Sequence, residues 1–137
     1  MIGDRIGGVL RLVGGAVEGN GGAQTITIAP DASEVWLLRW ARGFHNDDGG
    51  NRTVEWYIDD QIVATPYRIR DAVSIAANVG HVVYGTDMVG GPLTLEMFGV
   101  NVILQTTGVL AGHYLQYTAL VEVYSSPIGK NRMLPAP

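Results

Sequence analysis

The sequence contains no cysteine, which excludes disulfide bridges, thiolate metal sites, haem attachment through sulfur and cysteine nucleophiles. Lysine occurs once, at Lys130, and charged residues of all kinds make up only 16% of the chain. Nine Lys and Arg against 13 Asp and Glu leave a net charge of -4. An acidic chain without a basic excess cannot draw nucleic acid or an anionic membrane to itself through its field, so neither is expected as a partner. No stretch approaches the ~18 consecutive apolar residues of a membrane-crossing helix, and the segment from Met1 lacks the basic-then-apolar order of a secretory signal. We expect a soluble chain without a cleaved leader.

What is abundant is apolar residues, 47% of 137, and glycine. A chain of this length buries roughly two-thirds of its unfolded surface, enough for one core without metals or crosslinks. Gly3, Gly7, Gly8, Gly14, Gly15, Gly19, Gly21 and Gly22 set residues 1–22 apart from the remainder. Within them Val9-Leu10-Arg11-Leu12-Val13 is a short strand-like run. This segment is either an N-terminal arm that docks on a neighbour or the first strand of the domain.

From Gln24 onward the side chains alternate with period two, the mark of strands with one buried face. Glu34 to Phe44 would place Trp36, Leu38, Trp40, Arg42 and Phe44 on one face and Val35, Leu37, Arg39 and Ala41 on the other, both faces largely apolar. Such a strand is central, covered by core on one side and by core or a partner on the other. The turn-rich His45–Asn51 then leads into Arg52–Ile58, with Val54, Trp56 and Ile58 inward. Shorter candidates follow at Tyr67–Ile69, His81–Tyr84, Leu93–Met97 and Val102–Gln105, and Asp71–Asn78 reads as strand or a single helical turn. In the last long strand, Gly112 to Tyr124, His113, Leu115, Tyr117, Ala119, Val121 and Val123 share a face. Eight to ten short strands without a long helix predict an all-β fold, a jelly-roll-like β-sandwich over residues 23–125. Residues 126–137 are expected to form an extended, proline-bounded tail with Met133 and Leu134 as its apolar anchor.

Motifs for chemistry are sparse. His45, His81 and His113 have no zinc-ligand spacing, and the acidic Asp47-Asp48-Gly49-Gly50-Asn51 loop lacks the EF-hand pattern and fits turn formation. No serine lies in a G-x-S-x-G elbow and no glycine-rich loop carries a P-loop lysine. Glu34, Glu55, Glu96 and Glu122 could hide a glycosidase pair, but each fits equally well on an exposed strand face. We expect no catalytic residues, no metal and no cofactor. Eight of the nine basic residues are arginine, whose planar fork suits protein interfaces.

Three segments carry a family resemblance: Trp36-Leu37-Leu38-Arg39-Trp40-Ala41-Arg42-Gly43-Phe44-His45-Asn46-Asp47, Val54-Glu55-Trp56-Tyr57-Ile58-Asp59-Asp60, and Gly112 to Tyr124. In style they resemble the small β-sandwich structural proteins of tailed-phage virions, in particular head decoration (cement) proteins. The resemblance implies a homotrimer made in the host cytoplasm and seated on the outer surface of an icosahedral capsid, with terminal arms gripping major capsid protein subunits, and no catalysis. On that footing Ile6, Val9, Leu10 and Leu12, with Met133 and Leu134, are the expected capsid contacts. His113, Leu115 and Tyr117 would face the trimer axis. The alternative is a receptor- or carbohydrate-binding module of a phage tail or fibre, with Tyr57, Tyr67 and Tyr84 as stacking platforms.

Overall fold

The computed structural model describes residues 8–62, 65–69, 71–86 and 95–125. Its ten strands are β1 (Val9–Glu18), β2 (Ala23–Ile28), β3 (Glu34–His45), β4 (Arg52–Asp59), β5 (Tyr67–Arg68), β6 (Val73–Ile75), β7 (His81–Tyr84), β8 (Leu95–Met97), β9 (Asn101–Thr107) and β10 (Tyr114–Ser125). They form two antiparallel sheets. The front sheet runs β1-β10-β3-β7, with β8 on the same edge of β3 as β7; the back sheet runs β2-β9-β4-β5, with β6 also on β4. With β5/β6 and β7/β8 each counted as one interrupted strand, the order is that of an eight-stranded jelly roll. The all-β sandwich expected from the alternation is the fold observed.

The core lies between the sheets because each strand presents every second side chain to it. Leu38, Ala41, Leu115, Ala119 and Val121 from the front meet Ile28, Val54, Trp56, Val102 and Leu104 from the back. Each fully buried Val, Leu or Ile side chain among them contributes about 1.5–3 kcal/mol. At Gly43 the back sheet leaves no room for a side chain: a Cβ there would stand 2.9 Å from Leu104 Cδ1 and 3.1 Å from the Trp56 ring.

One expectation fails, for a local reason. The β3–β10 register slips between Leu120 and Val121, where Leu120 faces Trp40 and Val121 faces Leu38, leaving Arg39 as an extra residue on β3. A β-bulge of this kind reverses side-chain parity beyond it. Trp36 and Leu38 point inward as expected, but past Arg39 the inward set is Ala41, Gly43 and His45. Trp40, Arg42 and Phe44 are turned to the outside of the front sheet and are half-buried.

Of the two alternatives for residues 1–22, the stretch Val9–Glu18 is a strand of the sandwich. It pairs with β10 from Val9↔Val123 to Glu18↔Tyr114, and Val13 and Val17 pack on the core. A β1–β2 turn follows, held by bonds from Gly19 N to His113 O and from Gly21 N to Val109 O. Residues 1–7, including Ile6, and 126–137, including Met133 and Leu134, lie outside the described residues.

The Gly43→Ala variant is expected to lose about 1–3 kcal/mol through overpacking against Leu104 and Trp56. Leu10→Ala, at a position 60% exposed, should change stability by less than about 0.5 kcal/mol. Urea unfolding midpoints check both, and equal midpoints for Gly43→Ala and wild type would contradict the packing described.

Candidate functional site

Among the described residues, ionisable side chains gather at the end of the sandwich where the β3–β4 and β9–β10 loops meet. Asp47, only 1% exposed, sits just beyond β3. Its Oδ1 accepts from Gly49 N at 2.9 Å, and its Oδ2 accepts from Leu110 N at 3.0 Å and from Arg52 Nη2 at 2.9 Å and Nε at 3.3 Å. The Leu110 and Gly49 amides, then Arg52, hold the Asp47 carboxyl far below the usual carboxylate range against the opposing effect of burial. His45 is buried beside it. Its Nδ1 accepts from Asp47 N at 3.2 Å and its Nε2 lies 2.9 Å from Ile75 O, so this ring donates from Nε2 to a carbonyl.

Asp47, Asp48 and His113 bring one possible ligand atom each within 4.8 Å of one another. Metal binding does not follow. Asp47 already accepts from four donor atoms, two of them on the Arg52 guanidinium, so its negative charge is paired within the chain. The cluster is a latch joining two loops. It serves the turn that the sequence chemistry indicated and adds a tertiary tie that the sequence did not reveal.

The candidate acids are likewise engaged in structure. Glu34 accepts from both Arg11 Nη atoms and from Trp36 Nε1, and Arg11 foremost lowers its pKa. Glu122 accepts from the Tyr124 hydroxyl and pairs with Arg39, and the tyrosine bond is the larger cause of its lowered pKa. Glu55 accepts from the Tyr57 hydroxyl and pairs with Arg68 on the outside of the back sheet. His81 Nδ1 accepts from Trp56 Nε1 at 3.2 Å. A cleft of ≈ 470 Å³ opens beside the β2–β3 loop, lined among others by Asp31, Glu34, Met97 and Phe98, with no histidine on its wall.

The two outer faces of the sandwich differ in chemistry. On the front sheet one cross-strand row runs Leu12–Leu120–Trp40–Tyr84 through β1, β10, β3 and β7. Leu12 is 64% and Tyr84 53% exposed. Leu10, beside Leu12 on β1, belongs to the next row with Glu122, Leu37 and Glu96, and on the other side the Arg42 guanidinium stands 4.5 Å above the Phe44 ring. On the back sheet the corresponding rows are Thr25–Gln105–Glu55 and Thr27–Ile103–Tyr57–Arg68, mostly hydroxyl, amide and charge. A contiguous apolar strip on one face alone is the usual sign of a protein contact surface.

Val9, Leu10 and Leu12, the expected capsid contacts within the described residues, lie on exposed β1. The expected trimer face does not survive. Leu115 is fully buried in the chain's own core and Tyr117 packs against that core, because the face they share with Val121 is the inward one. His113, 35% exposed, precedes β10 and lies 4.0 Å from Asp47. Tyr57 and Tyr84 fall on the outer faces of opposite sheets and cannot form one stacking platform. Leu120, Trp40 and Tyr84 were not assigned a shared role from the sequence. The signal was present in the two apolar faces of β3, but the bulge at Arg39 concealed which residues point outward.

No protein-family model matches the sequence, and no curated protein matches it. Among solved structures, the chain is similar to one of the infectious bursal disease virus Gx strain, at 9% identity and a TM-score of 0.37, covering 91% of this chain and 38% of that one. It is also similar to infectious bursal virus derived T=1 particles, at 8% identity and a TM-score of 0.30, covering 94% of this chain and 42% of the other. The chain therefore spans less than half the length of these viral chains. Likeness at this level identifies neither family nor function.

The lowered Asp47 pKa means that its contribution is complete above the unfolded value, about 3.9, and is lost as pH falls through the folded one. Asp47→Asn is expected to lower the thermal midpoint at pH 7 and to lower it less at pH 3, so that the variant loses less stability on acidification than the wild type. Calorimetric midpoints across that range check this. Parallel curves for the two proteins would assign the acid sensitivity elsewhere.

Proposed function

We propose that the protein is a virion structural protein that decorates an icosahedral phage shell and stabilises it by binding neighbouring major capsid subunits. The observation that carries this reading is the apolar strip on the front sheet, which reaches the exposed β1 edge, opposite a back face of threonine, glutamine and charge. A domain with one adhesive and one solvated face, and with its buried ionisable groups committed to structure, fits a clamp better than a catalyst. The jelly roll alone decides nothing, since it also serves lectins and cupins.

Val9 and Val123 are paired, so the described residues begin and end at one corner of the front sheet. In this reading Ile6, Met133 and Leu134, which lie outside the described residues, are further capsid contacts, and linked weak contacts strengthen one another through local concentration. The homotrimer implied by the resemblance would have to close through a surface other than His113, Leu115 and Tyr117.

The test is co-sedimentation with shells formed by the major capsid protein of the same phage. Removing residues 1–22 would strip β1 from the core, so substitutions are preferred to deletion. Leu12→Ser with Tyr84→Ser, at exposed positions, should leave the thermal midpoint unchanged and weaken shell binding by at least about 10-fold, as loss of two central contacts does. Unchanged occupancy would remove the front face from the interface. Absence of shell binding, with glycan binding that depends on Tyr57 or Tyr67, would favour the receptor-binding alternative.

A further inference from the structure

The sheet edges are unequally defended. β5, β6, β7 and β8 are two to four residues long and β2 is six, whereas β1 offers ten consecutive residues. No described strand pairs with the side of β1 turned away from β10. Long edge strands are ordinarily guarded by proline, lysine or a free charge. Val9–Glu18 contains no proline or lysine, and its two charges are engaged inside the chain. Arg11 is bonded to Glu34, and Glu18 Oε2 accepts from Gly112 N at 3.0 Å.

We propose that β1 pairs antiparallel with β1 of a second copy, joining two front sheets into one continuous sheet across a two-fold axis. Opposed residues of an antiparallel pair point to the same face, so both cores lie on one side only when odd-numbered residues oppose odd and even oppose even. The register centred on Gly14 meets this condition with a residue lacking a side chain at the axis. Leu12 then faces Ala16 of the second copy and Arg11 faces its Val17. The two Arg11 positions are kept about 20 Å apart, six residues at ~3.4 Å each, and each lies near the Glu18 end of the other strand.

Continuity of the apolar strip favours a second copy over an unrelated strand. The row Tyr84–Trp40–Leu120–Leu12 stops at the edge of one molecule. In the paired sheet it continues to Ala16 of the second copy, whose own cross-strand row passes Gln116 before reaching the Phe44 ring. The joined surface presents the strip twice. The pairing goes beyond the shell-binding reading and does not depend on it.

Light scattering and sedimentation equilibrium on the full chain, without shells, test this. The wild type is expected to be a dimer at tens of micromolar. Leu12→Lys with Ala16→Lys, at exposed positions that oppose each other across the axis, sets like charges face to face and should weaken association at least 10-fold while the circular dichroism spectrum and thermal midpoint stay unchanged. Because the protein has no cysteine, Leu12→Cys with Ala16→Cys gives a second readout. Mild oxidation should yield a covalent dimer, since the two positions are four residues apart on one strand, too far to bridge within a chain. A wild-type monomer, a trimer, association indifferent to the lysines, or an associating cysteine variant that does not crosslink would each overturn the proposal. Monomers that bind shells through β1 would assign the edge to the capsid subunit instead.

Discussion

The arrangement at the end of the sandwich depends on a carboxylate kept out of water. Asp47 is tolerated there only because two backbone amides and a guanidinium fork together replace its hydration. Those donors come from the β3–β4 turn, from the start of β4 and from the β9–β10 loop, so forming the site requires both connections to be in place at once. The β1–β2 turn is drawn into the same assembly, for a Cβ on Gly19 would stand 2.1 Å from Val109 O. Three connections that are far apart in sequence are thereby fixed relative to one another, and with them the strands they join.

The strand pattern was largely readable from residue order because alternation is local. β3, β4, β7 and β10 begin and end within a few residues of their apolar periodicity, and Val54, Trp56 and Ile58 point inward as the pattern requires. What could not be read was long-range. A one-residue bulge at Arg39 leaves the composition of β3 unchanged and exchanges the faces of everything after it. The pairing of β1 with β10 joins residues 96 to 114 positions apart, so the glycine-rich start looked equally like an arm. The last strand was misjudged differently. Both of its faces are apolar enough to be buried, and only the opposing sheet decides that Leu115 belongs to the core.

The candidate site was legible in part for the same reason. Val9, Leu10 and Leu12 stand out as apolar residues among glycines, and their exposure on β1 keeps them available to a partner. Trp40 and Tyr84 became companions of Leu12 only once three strands had been laid side by side. Asp47 looked like one more turn-former, since Asp-rich loops are usually solvated. Its burial is a property of the loops that close over it.

The back face of hydroxyl and amide side chains has a consequence of its own. Under the proposed shell-binding reading, a molecule that adheres by its front sheet and turns these side chains to water would be laid down in one orientation. The described rows of the back sheet, mostly hydroxyl, amide and charge, would offer a further copy little to adhere to, and coverage would stop at a single thickness without a separate signal to end growth.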